Sequence, residues 1–281
     1  MKSGSSREGR VLRTIPAVVL ATVFAAPLVL LVLGSFARAG KPPPDGLLDL
    51  RPDGLNLANY ELALDLFPLG RQILNSLLVI AVAVPVTVAV ASGAGFALIV
   101  AGGRLRVWLV GITLALALLP PMLLWAPRVV MLRVVGLGGE TLAVAITAFA
   151  ATSPLFVLLF ALAFRRIPPA TLEAARCEGL SSGQVFWRAA LPQVPGTTFA
   201  VALLALVAHW GNTLEPTLML TRPETQTAAI GIRALSTLEP TLYPIFLAAS
   251  VMVTLPPILA FLLAQRGLFA PLIPSRQVTS R

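Results

Sequence analysis

Six long apolar stretches constrain this 281-residue chain more strongly than any other feature. An α-helix needs about 20 apolar residues to cross a hydrocarbon core about 30 Å thick, and each stretch meets that length. Only the fifth contains an ionised side chain, Glu215. We therefore predict an all-α integral membrane protein, folded as a single domain over residues 1–281. Its six transmembrane helices are expected at residues 15–36, 73–100, 107–126, 141–164, 197–220 and 244–264.

The basic residues indicate how the chain is oriented. Charged residues make up 12% of the chain, against about 25% in soluble domains. The positive-inside rule places Lys-rich and Arg-rich segments in the cytoplasm, and with them both termini. The net charge of +9 is then explained by topology and anionic lipid, so no nucleic-acid partner is expected. Thirteen of the 21 Lys and Arg residues fall in segments 1–14, 101–106, 165–196 and 265–281.

Catalytic motifs are absent from the sequence. It has no phosphate-binding loop, no zinc-protease signature and no nucleophile elbow. With one cysteine, Cys177, a disulfide within the chain is excluded, and no metal site is expected. We predict that the chain is not an enzyme and binds no cofactor. Any energy that its activity requires must then come from a partner protein or an ion gradient.

A polar segment, residues 165–196, separates the fourth and fifth apolar stretches. Pro168 and Pro169 cannot continue the preceding helix, but they suit the first turn of a new one. Gly179 suits the left-handed conformation that ends a helix sharply. The first part of the segment is therefore predicted to be a short helix closed by a turn.

The second part of the segment carries its own helix signal. Ser181 and Gln184 form a capping-box pattern, which predicts a second short helix that stops at Pro192. Together the two helices would form a helix-turn-helix knob. The alternative is an amphipathic connector that lies on the bilayer, with Phe186 and Trp187 as anchors.

Three elements of this segment stand at a fixed spacing. Glu173-Ala174-Ala175 is followed after three residues by Gly179 and, after eleven more, by Leu191-Pro192. This pattern resembles the cytoplasmic coupling loop, with its EAA motif, of ABC-importer permeases. The resemblance implies that these residues couple a partner ATPase to the membrane helices: Glu173, Ala174, Ala175, Gly179, Leu191 and Pro192.

The resemblance covers nearly the whole chain and is to sugar-type permeases, in particular to the shorter permease of maltose and glycerol-3-phosphate uptake systems. It implies the type I permease fold in a bacterial or archaeal cell membrane. It also implies a second permease subunit as heterodimer partner, two ATPase subunits that hold ATP and magnesium, and an extracytoplasmic solute-binding protein. The matching landmarks include Pro27, Ser35-Phe36, Asn59-Tyr60, Asn75-Ser76, Leu119-Pro120, Pro127, Gly136-Leu137, Thr141, Pro154, Arg165 to Pro168, Trp210 and Pro216.

We therefore expect a subunit that forms part of an import pathway for a sugar or related polar carbohydrate. A non-sugar solute such as glycerol-3-phosphate is the alternative within the family. An ion-driven secondary transporter would instead show buried charges and an internal repeat. A membrane anchor without transport would not need the knob.

Polar residues of the fifth apolar stretch are candidates for the translocation pathway. On a continuous helix, positions 209, 212 and 216 share one face, with position 215 beside them. An aromatic ring there could contact a sugar. Alternatively, His209 and Asn212 only form hydrogen bonds with neighbouring helices, while Glu215 and Trp210 lie at the headgroup interface. The candidate residues are His209, Trp210, Asn212 and Glu215.

Overall fold

The computed structural model describes residues 5–43, 46, 54–237 and 239–269. Within these ranges every regular element is helical, which confirms the predicted all-α class. Short 3₁₀ segments at Pro121–Leu124, Leu191–Gln193 and Pro240–Leu242 and a π-helical segment at Val185–Ala190 join the α-helices. The α-helices are α1 (Ser5–Ser35), α2 (Ala58–Leu66), α3 (Leu69–Val100), α4 (Gly103–Leu118), α5 (Trp125–Val134), α6 (Thr141–Ala151), α7 (Pro154–Phe164), α8 (Pro169–Cys177), α9 (Ser182–Gln184), α10 (Pro195–Trp210), α11 (Leu214–Met219), α12 (Ala228–Leu235) and α13 (Tyr243–Phe269).

Three helical segments of the described chain are long and apolar enough to cross a membrane alone: Val18–Ser35, Leu69–Val100 and Pro240–Leu263. The number rises to as many as six if each of three bent helix pairs is one span. The bends measure 96°, 83° and 88°. The bent pairs are Gly103–Leu118 with Met122–Val134, Pro154–Phe164 with Pro169–Cys177, and Ser182–Gln193 with Pro195–Trp210.

Prolines interrupt two of the predicted spans. The third, 107–126, is not one helix, because α4 ends at Leu118 and the chain turns before α5. The fourth, 141–164, is interrupted between α6 and α7. Leu119 and Ser153, which each precede a proline, are extended. The proline ring disfavours helical backbone for the residue before it, so both breaks are local consequences of sequence.

By its contacts the chain divides into two compact units, so a single domain over 1–281 stays a prediction. One unit is Met1–Gly70 with Gly231–Leu255, and the other is Arg71–Ile230 with Pro256–Arg281.

In the first unit, α2 closes the C-terminal end of α1. The buried Asn59 amide donates to the carbonyl oxygens of Ser35 at 2.8 Å and Ala37 at 2.7 Å. The Tyr60 hydroxyl lies 2.7 Å from Ser35 Oγ. The last carbonyls of a helix have no partner inside it, so Asn59 satisfies groups that would otherwise be buried unpaired. Two of the sequence landmarks, Ser35-Phe36 and Asn59-Tyr60, thus contact each other.

In the second unit, side chains near the N-terminal end of α3 form hydrogen bonds with the segment between α11 and α12. The Asn75 amide donates to the carbonyls of Glu224 at 2.7 Å and Gln226 at 2.9 Å. Ser76 Oγ accepts from the Ala228 N–H at 2.9 Å. Backbone groups need partners wherever they are buried, and the Asn75-Ser76 landmark supplies them to this connecting segment.

Further along α3, the backbone of the helix comes very close to α7. A Cβ added at Gly95 would lie 2.7 Å from Phe160 Cβ and 2.9 Å from the Val157 carbonyl oxygen. Only hydrogen fits at this position. The contact lies in a cluster of buried apolar side chains that includes Phe96 and Phe164.

We expect Gly95→Ala to lower the temperature of thermal unfolding in detergent, because the methyl group must displace the α7 backbone. Overpacking of this kind costs about 1–3 kcal/mol. Gly93→Ala is the matched control, since nothing lies within 4 Å of its added Cβ. Equal unfolding temperatures for the two variants would contradict the close contact of α3 and α7.

Candidate functional site

The first arm of the predicted knob is α8, which ends in a turn closed by glycine. Gly179 has a φ of +82°. Its N–H donates to the Arg176 carbonyl at 2.9 Å, and the Leu180 N–H donates to the Ala175 carbonyl at 3.3 Å. This is a Schellman arrangement, in which a left-handed residue lets unpaired carbonyls of the last turn accept hydrogen bonds. The predicted end of the first helix at Gly179 is confirmed.

The second arm begins at α9 with the predicted capping box. The Ser181 N–H donates to Gln184 Oε1 at 2.9 Å, and the Gln184 N–H donates to Ser181 Oγ at 3.4 Å. The chain continues through the π turn and the 3₁₀ turn, where Pro192 has no N–H to donate. The Gln193 side chain donates to the Ala189 carbonyl at 2.7 Å, so a backbone acceptor at this end of the arm has a hydrogen-bond partner. Residues 169–193 therefore form the helix-turn-helix knob.

One face of the knob is buried against α3 and α7. The Phe186 ring centroid lies 5.4 Å from that of Phe96 and 6.3 Å from that of Phe164. The interpretation of Phe186 as a lipid anchor is therefore wrong, whereas Trp187 is 59% exposed. Other knob residues buried in the same cluster are Ala175, Val185 and Ala190.

The six predicted coupling residues divide between the two faces of the knob. Ala175 packs inward, and Leu191 is half-buried. The other four are exposed, and two of these, Ala174 and Gly179, have little or no side chain. Their part in coupling to an ATPase stays a prediction. The exposed members are Glu173, Ala174, Gly179 and Pro192.

The fifth apolar stretch, which carries the pathway candidates, is broken. α10 ends at Trp210 and α11 begins at Leu214. The expectation that positions 209, 212 and 216 share one continuous helical face is therefore wrong. A proline at 216 inside a continuous helix would clash with the carbonyl of residue 212, and Gly211 is a poor helix former.

His209, in the last turn of α10, contacts α3. Its Nε2 lies 3.2 Å from Oγ1 of Thr87, a threonine that is 1% exposed. A polar pair between helices in apolar surroundings is what the packing interpretation of His209 requires. The pathway role of His209 stays a prediction.

Glu215 is a buried carboxylate on α11. Its Oε1 lies 3.5 Å from Arg128 Nη1 on α5, and the two side chains are 6% and 13% exposed. Its Oε2 accepts a long hydrogen bond of 3.4 Å from Asn212 Nδ2. Among the described residues, Oε1 has no hydrogen-bond donor. The carboxylate is thus paired with a cation but retains capacity to accept further hydrogen bonds.

The structure also adds residues that sequence reasoning does not single out. Arg128 falls between the third and fourth predicted spans, and Thr87 lies within the second. A signal for Arg128 was available, since Glu215 is the one carboxylate in the predicted spans and a buried carboxylate needs a cation. Trp210, in contrast, is only 9% exposed, so its ring is covered by protein in this conformation.

Comparison with known proteins identifies the family. Residues 89–268, which include the knob and the Glu215 cluster, match the family described as the binding-protein-dependent transport system inner membrane component. The chain belongs to this family.

Individual relatives and a solved structure agree with that assignment. The arabinooligosaccharides transport system permease protein AraQ of Halalkalibacterium halodurans is 28% identical over 267 residues, 93% of this chain and 94% of AraQ. The lactose transport system permease protein LacG of Rhizobium radiobacter is 25% identical over 192 residues, 68% of this chain and 70% of LacG. The crystal structure of a bacterial ABC transporter involved in the import of the acidic polysaccharide alginate matches with a TM-score of 0.70 and 19% identity, over 95% of this chain and 98% of that one.

These findings confirm the resemblance stated from the sequence. The chain is a multi-pass membrane permease of the ABC-importer type, with the type I permease fold. It is a transport component, and it groups with permeases of sugar-type systems. The ion-driven transporter and the membrane anchor are thereby set aside.

We expect Arg128→Met to destabilise the permease, because it leaves the Glu215 carboxylate buried without its cation. Breaking a buried pair in this way costs about 3–5 kcal/mol. The double variant Arg128→Met/Glu215→Leu removes both charges and should unfold at a temperature closer to that of the wild type. Thermal unfolding in detergent measures both, and a double variant less stable than Arg128→Met would contradict a buried pair.

Proposed function

We propose that this chain is the membrane-spanning permease subunit of an ATP-driven importer for a sugar or a related polar carbohydrate. The names of AraQ and LacG, which refer to oligosaccharide and disaccharide transport, support the solute class. The chain itself is not an enzyme and holds no cofactor. Two partner ATPase subunits hydrolyse ATP with magnesium, and a second permease subunit completes the pathway.

The way the knob is attached carries this proposal. A loop that transmits force must be rigid itself and must be fixed to the elements that it moves. The Schellman turn at Gly179 and the capping box at Ser181 make the knob rigid. The Phe186 ring, between Phe96 and Phe164, fixes it to α3 and α7. A push on the knob is therefore delivered to two membrane helices.

The outer surface of α8 suits insertion into a cleft of another protein. Ala174 and Cys177, one turn apart, are exposed and carry small side chains, so a partner surface can approach closely. The exposed Glu173 and Glu178 flank them and offer charges for pairing across the interface. We assign this surface to the ATPase contact.

The proposed orientation places the knob and both termini in the cytoplasm. Val100 and Arg106, at the junction of α3 and α4, line the same cavity as Arg165 at the base of the knob. This arrangement supports the sequence assignment of segments 101–106 and 165–196 to one side of the membrane. The solute-binding protein then docks on the opposite, extracytoplasmic side.

The pathway is assigned to the break in the fifth span. Unpaired polar groups are costly inside a membrane, so a buried carboxylate with an unsatisfied oxygen calls for a donor. Glu215 Oε1 is such an acceptor, and Asn212 beside it is only half-buried. Carbohydrate hydroxyls supply donors of this kind. An anionic solute such as glycerol-3-phosphate is less suited, because the nearby Arg128 is already paired with Glu215.

Uptake by the complex reconstituted in vesicles tests the proposal. We expect Gly179→Val to reduce solute uptake and solute-stimulated ATP hydrolysis while membrane insertion persists, because a β-branched residue is strongly disfavoured at positive φ. The local strain amounts to roughly 1–3 kcal/mol. Uptake should also require the external solute-binding protein.

Gly183→Val is the control for this experiment, since Gly183 lies in the same knob at an ordinary φ with nothing within 4 Å of an added Cβ. Wild-type solute uptake and solute-stimulated ATP hydrolysis in Gly179→Val would contradict the role assigned to the knob. Full-rate accumulation without a binding protein would point to a different class of transporter.

The pathway assignment has its own test. With Cys177→Ser as background, we expect cysteines introduced at His209 and Asn212 to react with water-soluble thiol reagents only in the outward-facing state of the complex. A pathway position is exposed to water in one state and closed in the other, so labelling should depend on the nucleotide. Protection of both positions in every nucleotide state would assign them to helix packing.

A further inference from the structure

A basic cavity lies at the base of the knob, beside the ends of the membrane helices. Its volume is about 330 Å³, within the range of ligand-binding clefts. The residues that line it come from α3, α4, the end of α7 and α8. They include Val100, Arg106, Arg165, Leu172, Glu173 and Arg176.

The charge of the cavity is unbalanced. Three arginines, Arg106, Arg165 and Arg176, face one carboxylate, Glu173. Within the described part of the chain no carboxylate lies within 4.0 Å of these guanidinium groups. Guanidinium groups donate hydrogen bonds in a planar fork that matches phosphate oxygens. The cavity is therefore built to attract an anion, and phosphate chemistry fits it best.

The remaining wall of the cavity is apolar. Ile99, Val100 and Leu172 line it, and Val100 is 39% exposed. Tryptophans are enriched where a membrane protein meets the headgroup layer. Trp108, two residues beyond Arg106, is 71% exposed, as expected for a side chain at that level. The site thus combines a positively charged end with an apolar end at the proposed cytoplasmic surface.

We propose that this cavity binds the head group of an anionic phospholipid from the cytoplasmic leaflet. The arginines contact its phosphate, and Ile99, Val100 and Leu172 cover the start of its acyl chains. Basic sites between helices on the cytoplasmic side are suited to such head groups, and each arginine near the surface contributes roughly 1 kcal/mol of attraction. The lipid would occupy the base of the knob, next to the proposed ATPase surface.

An acidic side chain of the ATPase is the other occupant to consider, and the geometry favours lipid. On α8, Glu173 and Arg176 line the cavity, whereas Ala174 and Cys177, at the centre of the proposed ATPase surface, do not. The apolar wall next to the arginines offers no favourable contact to a carboxylate from a soluble partner. Acyl chains would cover that wall.

Native mass spectrometry of the full chain in neutral detergent tests the proposal. Phosphatidylglycerol is the anionic probe, and phosphatidylcholine is the zwitterionic comparison. We expect wild-type protein to retain phosphatidylglycerol preferentially. The variant Arg106→Gln/Arg165→Gln should lower its affinity about fivefold for each arginine removed, which is the conversion of roughly 1 kcal/mol per residue.

The matched control is Arg104→Gln/Arg166→Gln. It removes the same charge from the neighbouring positions, neither of which lines this cavity, and it should retain the lipid as the wild type does. The charge-preserving variant Arg106→Lys/Arg165→Lys should recover part of the binding. Thermal unfolding of every variant in the absence of lipid shows whether the fold is intact.

Several outcomes would overturn the proposal. An equal loss in both glutamine variants would indicate general attraction between a basic protein and an anionic lipid. Complete displacement of phosphatidylglycerol by inorganic phosphate would make the cavity a site for soluble anions. Loss of the lipid from wild-type protein on assembly with its ATPase subunits would assign the arginines to the subunit interface. Retention of the lipid in the assembled complex supports the proposal.

Discussion

The contact of Phe186 with Phe96 and Phe164 is the interaction on which the functional architecture depends. It joins a polar loop to two membrane helices through an apolar interface, and close packing makes that interface stiff. Phe160 stacks on Phe164 at 5.8 Å and extends the cluster along α7, where Gly95 allows α3 to approach. Without this cluster the knob would be a flexible connector, and a displacement at its tip would not reach the membrane helices.

Several polar side chains in the described structure give partners to backbone groups at helix ends and in connecting segments. The Asn59 amide donates to carbonyls at the end of α1, and Asn75 and Ser76 form hydrogen bonds with the backbone of the segment before α12. Glu215 differs from these residues in carrying a buried charge: it is paired with Arg128, while its Oε1 has no hydrogen-bond donor among the described residues. A buried charge is costly in such surroundings unless its oxygens find donors, which supports the pathway role proposed for Glu215.

Local rules explain why the knob could be predicted closely. The positive φ of Gly179, the capping box of Ser181 and Gln184, and the start of α8 at Pro169 all depend on neighbours within four residues in the chain. The same local rules account for the break before Pro154, which the count of apolar residues missed because hydropathy carries no information on backbone conformation. The site in the fifth stretch could be only partly predicted. The polar candidates stand out from the sequence, but the shared helical face was wrong, because α10 stops at Trp210 before Gly211 and a new helix begins only at Leu214.

The sequence by itself determined the membrane class, the positions of the apolar stretches, the turn chemistry of the knob and the family. Each of these follows from composition or from short-range spacing, which need no knowledge of distant contacts. Only the tertiary structure decided that Phe186 turns inward while Trp187 stays exposed, that Arg128 pairs with Glu215, and that Arg106, Arg165 and Arg176 line one cavity. Most partners in these contacts are far apart in the chain, and the way the helices pack decides which side chains meet. No local sequence pattern encodes that packing.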